Sequence, residues 1–476
     1  MATLNYSTYF LYRWRYVIGY SLVGLLLAGL LVFVGVYLPG GLSSIEMTSV
    51  TRSAALSTTD LSTLAITNLP YYGLQAAVFH FFGLSIFTIK VVSLFLALLS
   101  AIGFILLLRR WFKSNIAVLA SLIAITTGQF LFIAQQGAPG ILYVFWPIVL
   151  LLLGTQITRG RKFRLVWKVL FAIAAALSLY TPLSIYPLLA IVLAIVLHPH
   201  LRNTVRKLSK PRLVLVSVIF LILIAPLVYL ITLNNQLGLT MLGIPRSWPP
   251  DFLTNINTVI LNYFMFWRAG DATLMTPVFG LGSVILILLG FYRMVRTRET
   301  TRSYLIIIWI ACIIPVLILN PAFTSVTFVP SMLLLAAGLT SLIGYWYRLF
   351  PFNPYARITG LIPIVILVLA LSISGLSRYI YGYHYSVAQA SLFSKDLALL
   401  PEETKQFVVS VDQLSYYQAV AKYKTNLKVT TVPSDESFVV TREARQPFTG
   451  YGVERIITNG FTNDADRLYV YKKTTN

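Results

Sequence analysis

Acidic residues are scarce in this 476-residue chain: of fifteen, only Glu46, Asp60, Asp251, Asp271 and Glu299 precede residue 380. Charged residues of both signs make up 11% of the sequence against 57% hydrophobic, where a water-soluble protein carries about a quarter charged. Such a chain cannot hide its apolar surface in a soluble core. A single cysteine, Cys312, excludes a disulfide framework or a cysteine metal site within the chain. The four histidines (His80, His198, His200 and His384) are too dispersed for a metal cluster. His198 and His200 flank Pro199 at a helix end, where cations complement the helix dipole, so their reading is structural. No Walker loop, HExxH, GxSxG or dinucleotide fingerprint stands in a suitable context.

What the chain has instead is long apolar runs. Mean hydropathy is +0.78, and about eleven segments are near the length that spans some 30 Å of hydrocarbon as a helix. They run approximately over 16–38, 88–108, 115–134, 139–157, 165–181, 182–198, 212–233, 273–292, 303–320, 324–346 and 358–376. The first is too long for a signal-peptide core and lacks a small-residue cleavage site, which makes it a retained anchor. The net charge of +22 would suggest a nucleic-acid partner in a soluble protein. Here the cations sit in short gaps between apolar runs, where they report orientation and not a nucleic-acid ligand. Arg109, Arg110 and Lys113, then Arg159 to Lys168, and then Arg202 to Arg212 crowd alternate gaps; the intervening ones hold only Arg52, Lys90, Arg246 and Arg268 up to residue 375. The positive-inside rule places the N-terminus in the cytoplasm, and an odd number of crossings places the C-terminus outside.

Two external loops are long, 39–87 and 234–272, and loops of that length usually carry function. In the first, LPYYGLQAAVFHFFG (69–83) is apolar and aromatic but ends at Gly83, as suits a helix lying in the interface. The sequence thus divides into a transmembrane part, 1–386, and a soluble tail, 387–476. In the tail QFVVSV, KVTTVP, SFVVTRE, ERIITNGF and RLYVYKK alternate as strands, and LSYYQAVAKYK reads as a helix, giving a small external α/β domain. Tyr379, Tyr381, Tyr383 and Tyr385 just before it suit an aromatic belt at the membrane surface.

The stretch LPGGLSSIEMTSVTRSAAL after the first span, and then residues 69–112, resemble the start of the multi-spanning GT-C glycosyltransferases. That group includes bacterial lipid-A aminoarabinose transferases and protein O-mannosyltransferases. The likeness rests on a proline-tyrosine start, an interfacial helix, a glycine, a basic residue at the head of the second span (Lys90) and a basic pair after it (Arg109, Arg110). The resemblance implies an all-α, GT-C-like polytopic fold with the small external α/β domain, in a bacterial cytoplasmic membrane. It implies a polyprenyl-phosphate sugar as donor, a glycan, lipid or protein as acceptor, and a divalent metal as a possible cofactor. Where the family usually has Asp-Glu outside the first helix, this chain has Ile45-Glu46, and Gln135 and Gln136 stand near a position where many relatives carry an arginine or an acid.

Transfer of a glycosyl group from a phosphate carrier needs a base for the acceptor and cations for the departing phosphate. Glu46 is the candidate base. Arg52, Lys90, Arg246 and Arg268 are candidate phosphate ligands, with Asp60 as the other carboxylate of the first loop, placed where it can cap a helix. Each has a plainer reading: Glu46 as a solvated loop carboxylate, Lys90 snorkelling to the interface, Arg268 anchoring an aromatic loop. Two other functions stay open, a transporter or flippase of lipid-linked saccharides and a non-catalytic assembly protein on the same scaffold.

Overall fold

The structure, a computed structural model, describes residues 10–37, 41–57, 60–159, 164–206, 210–245, 248–266, 277–349, 355, 359–381, 393–424, 427–458 and 466–474. Up to residue 381 it is helical: α1 (Phe10–Val32), α2 (Ser44–Ala55), α3 (Leu69–Phe82), α4 (Ile86–Trp111), α5 (Ser114–Thr126), α6 (Gly128–Gln135), α7 (Leu142–Arg159), α8 (Arg164–Ser178), α9 (Ile185–Leu197), α10 (Pro199–Arg206), α11 (Lys210–Leu233), α12 (Asn235–Met241), α13 (Phe252–Phe264), α14 (Leu281–Arg296), α15 (Thr301–Leu319), α16 (Phe328–Leu349) and α17 (Leu361–Tyr379).

Each of the eleven apolar segments carries a helix, but not all are long, straight spans. Among the described residues six stretches are long and apolar enough to cross a membrane: Ile86–Trp111, Pro139–Thr158, Lys210–Leu233, Thr301–Leu319, Thr324–Leu349 and Leu361–Tyr379. Two bent pairs, α5 with α6 at 56° and α9 with α10 at 92°, raise the number to eight if each is one span. The first bend has a local cause. Thr127 leaves the helical conformation, ends α5, and caps α6 by accepting from the Phe130 amide. The second follows from Pro199, which cannot continue the α9 hydrogen-bond ladder and instead opens α10.

The helices pack through small residues. α14 and α16 meet at Gly290 and Gly338, where a Cβ on either would strike the other helix's backbone, at the Leu334 and Leu286 carbonyls respectively. Only glycine permits that approach. The first and last helices before the tail are joined as well: α1 widens into a π-helical turn at Phe33–Tyr37, and the Tyr379 hydroxyl donates to the Val34 carbonyl at 3.1 Å.

Every strand-like segment of the tail forms a strand: β1 (Gln406–Val408), β2 (Lys428–Thr430), β3 (Ser437–Thr441), β4 (Tyr451–Ile457) and β5 (Leu468–Lys473), with α18 (Asp396–Leu399) before them and α19 (Val411–Ala421) between β1 and β2. The sheet order is β2-β1-β3-β5-β4. β1 is parallel to β2 and β3, while β5 is antiparallel to β3 and β4. Alternation sorts the side chains. Phe407, Val439 and Val470 join Tyr417 and Val420 of α19 on one face; Val408, Phe438, Val440, Tyr469 and Tyr471 form a second core on the other. The first core continues into Val50 and Ala54 of α2, Phe79 of α3 and Ile89 of α4. The tail is therefore seated on the first long loop. An antiparallel bridge fixes the contact, Leu42 and Ser394 exchanging backbone hydrogen bonds of 2.8 and 2.9 Å.

Candidate functional site

The first long loop is mostly helix. Ser43-x-x-Glu46 is a capping box, in which the Glu46 carboxylate turns back to accept from the Ser43 amide at 2.8 Å and so starts α2. The following segment becomes α3, which begins with Pro70 in its first turn and stops at Gly83, whose positive φ of 73° suits glycine. α3 buries Tyr71, Tyr72, Gln75 and Phe79 on one face and exposes Leu74, Phe81 and Phe82 on the other, the pattern of a helix in the interface. The second long loop also contains helices, α12 and α13; Asp251 caps α13 by accepting from the Thr254 amide.

Glu46 lies at the centre of a sealed polar cluster. Its Oε2 accepts from the Ser43 amide and, at 3.1 Å, from the Ser43 hydroxyl. Its Oε1 accepts from the Gly137 amide at 2.7 Å and faces the Lys90 ammonium at 3.3 Å. Both members of this ion pair are 0% exposed. Lys90 also donates to Gln135 Oε1 at 3.3 Å, and the Gln135 amide nitrogen has no partner among the described residues. Swapping that amide would aim its N–H₂ at the ammonium, so the orientation is fixed by charge. Beside this lies Gln75, which accepts from Ser49 and Ser53 at 2.9 and 2.6 Å and donates to the Ile89 and Gly137 carbonyls at 3.0 and 3.2 Å. Gly137 is tied to both groups and must be glycine, because a Cβ there would sit 2.8 Å from the Ile89 carbonyl oxygen.

Glu46 and Lys90 are thus brought together, and Lys90 points inward instead of snorkelling. Glu46 is buried, not a solvated loop carboxylate. Arg52, on the last turn of α2, is exposed and donates to the buried Tyr72 hydroxyl at 3.3 Å. Burial drives the Tyr72 hydroxyl's pKa up, partly offset by the Arg52 charge and hydrogen bond. Asp60 stands apart, capping a short 3-10 turn, and hydrogen bonds from Ser62 lower its pKa. Arg246 and Arg268 lie outside the described residues. Sequence reasoning missed Ser43, Gln75 and Gly137; the capping-box spacing pointed to the first, and nothing local pointed to the others.

A divalent metal does not fit this cluster. Among the described residues no three His, Cys, Asp or Glu side chains come together as a metal site. The cation at Glu46 is the Lys90 ammonium, and the carboxylate oxygens are already engaged by three N–H or O–H donors and that charge.

The fold is similar to that of ArnT from Cupriavidus metallidurans in the apo state, with a TM-score of 0.54 at 14% identity over 96% of this chain and 98% of that one. The chain has the GT-C fold. ArnT bound to undecaprenyl phosphate gives a TM-score of 0.53 at 13% identity over 95% and 98%. The Archaeoglobus fulgidus oligosaccharyltransferase, tethered to an acceptor peptide containing an NVT sequon, gives 0.50 at 13% identity over 86% of this chain and 64% of that one. No family model matches the sequence, and no curated protein matches it. The GT-C architecture agrees with a polytopic membrane protein whose first loop and tail are packed together.

Proposed function

We propose that the protein is a membrane glycosyltransferase that moves a sugar from a polyprenyl-phosphate carrier to an acceptor hydroxyl or amine at the external face of a cell membrane, with about eleven crossings, the N-terminus inside and the C-terminus outside. The observation that carries this reading is the match to a lipid-phosphate-binding GT-C protein along almost the full length of both chains. The site supports it. Lys90 and the unpartnered Gln135 amide nitrogen are neighbouring buried donors, which an anionic phosphate satisfies.

In this reaction the acceptor oxygen or nitrogen forms a bond to the anomeric carbon, the bond from that carbon to the carrier phosphate breaks, and the electron pair leaves on the phosphate. Lys90 and Arg52 stabilise the departing charge. The acceptor's proton goes to Glu46. Glu46 is sealed in the described conformation, so the donor has a second role. As its phosphate draws Lys90 away, Oε1 is released from its ion pair and is open to receive that proton.

The test is turnover of a radiolabelled polyprenyl-phosphate sugar by purified protein in nanodiscs. Glu46→Gln is expected to lower turnover by about 10²- to 10⁴-fold, as lost general-base catalysis does, and Lys90→Met to weaken donor binding. Full activity in both variants refutes the assignment of this site. Vectorial movement of the intact lipid-linked saccharide with no bond cleavage refutes the transferase reading in favour of a flippase.

A further inference from the structure

Helical periodicity gives α2 a second working face. Glu46, Ser49, Val50 and Ser53 point to the sealed cluster and its packing, and Ser44, Met47, Thr48 and Thr51 lie opposite. That opposite face borders a cavity of about 430 Å³ closed on its other side by the tail, a volume within the range of small-ligand sites. Three cavity-lining residues carry buried polar atoms without a hydrogen-bond partner among the described residues: Asp396 Oδ1, Gln413 Oε1 and the Tyr416 hydroxyl. Asp396 is 6% exposed and Tyr416 3%. Native proteins seldom leave such groups unpaired.

The chemistry of these atoms selects the ligand. Gln413 Oε1 and an ionised Asp396 can only accept, whereas the Tyr416 hydroxyl has a proton to give. A hydroxyl group answers both needs; an ammonium ion offers only donors. Asp412, Glu443 and Asp466 also line the cavity, against one lining cation among the described residues, Arg442, so an anion is repelled. Phe393 and Met47 add apolar wall for the C–H faces of a ring. We propose that this cavity binds a neutral, hydroxyl-rich saccharide. On the transferase reading, from which this role follows, that saccharide is the glycan of the acceptor, held about one helix width from Glu46.

The experiment uses the full chain in nanodiscs, free of sugar-based detergent, with mannotriose, cellotriose and chitotriose as neutral probes and trigalacturonate and spermidine as charged controls. Binding is read by saturation-transfer NMR and titration. At least one neutral trisaccharide is expected to bind, and Tyr416→Phe and Asp396→Asn each to weaken it by about three- to tenfold, the effect of one lost hydrogen bond. Tyr416→Phe removes a hydroxyl that has no partner among the described residues, so its fold is retained. Failure of all three neutral sugars to bind overturns the proposal. So does binding that both variants leave unchanged, or binding of spermidine or trigalacturonate alone. Sugar binding without turnover of any lipid-linked donor leaves the cavity assigned and removes the transferase reading; turnover without sugar binding does the reverse.

Discussion

Replacing Glu46 with Gln looks conservative by size and is not so in this site. A carboxylate here accepts from Ser43 twice and from Gly137, and faces Lys90. A glutamine has one oxygen. If it serves Ser43, the amide N–H₂ meets the Gly137 amide and the Lys90 ammonium, and donor faces donor. Lys90 is then a buried charge left with Gln135 alone. Breaking a buried ion pair by removing one partner costs about 3–5 kcal/mol, and we expect Glu46→Gln and Lys90→Met each to lose that much. The double variant removes both charges and should lose at least 2 kcal/mol less than the sum, a coupling of the size seen for residues in contact. Reversible unfolding in mixed micelles, measured for the four proteins of the cycle, gives the coupling directly. Additive losses, or single losses under about 1 kcal/mol, would refute the view that this pair holds α2 in place. The cycle also separates structure from chemistry, since turnover is then compared at a temperature where every variant is folded.

Three further outcomes are expected. On a background lacking Cys312, an impermeant thiol reagent added outside should label a cysteine at Ser437 and spare one at Thr158, and the opposite pattern would invert the orientation drawn from the basic loops. Gly290→Ala should separate α14 from α16 or strain them, at about 1–3 kcal/mol, because its methyl meets the Leu334 carbonyl; unchanged thermal unfolding would show that the helices are not closely packed there. Burial, with Asp466 and Glu443 nearby, pushes Asp396 up to about 7, while Asp412, Arg442 and the adjacent Lys395 complete its charged surroundings. A carboxyl raised on folding holds its proton more tightly in the native state. Its contribution to tail stability is therefore full below about pH 4 and is lost as pH rises through 7, by a few kcal/mol; Asp396→Asn should flatten that slope in urea unfolding at pH 5, 6.5 and 8, and an unchanged slope would refute it.

Periodic features were legible in the sequence because they are local. Alternation in SFVVTRE and RLYVYKK gave strands, Gly83 ended α3, and Asp60 sat where a cap belongs. The capping box of Glu46 was written in its spacing as well. The environment of Glu46 was not, because Gly137 lies 91 residues away and Gln135 is 45 residues from Lys90, and no spacing rule reaches that far. A lone lysine at a helix head looks the same whether it snorkels or turns inward; only the packing of α4 against the α6–α7 turn decides. The cavity was illegible for a related reason, since its walls come from the two ends of the chain. Bends at Thr127 and Pro199 blurred the span count, because an apolar run records length and not direction.

The bridge between Leu42 and Ser394 has a consequence for how the protein is made. Ribosomes add about 5–20 residues per second, so the two strands of this bridge emerge on the order of 20–70 s apart. During that interval α2 has its inner face satisfied by Lys90 and Gly137, both translated early, while its outer face has no partner from the tail. The membrane part can therefore mature first, and the tail then docks on a prepared surface. A chain truncated after Gly137 and before residue 394 would carry every residue of the Glu46 cluster and an unroofed cavity, a separation of the two halves of the site that biosynthesis performs every time.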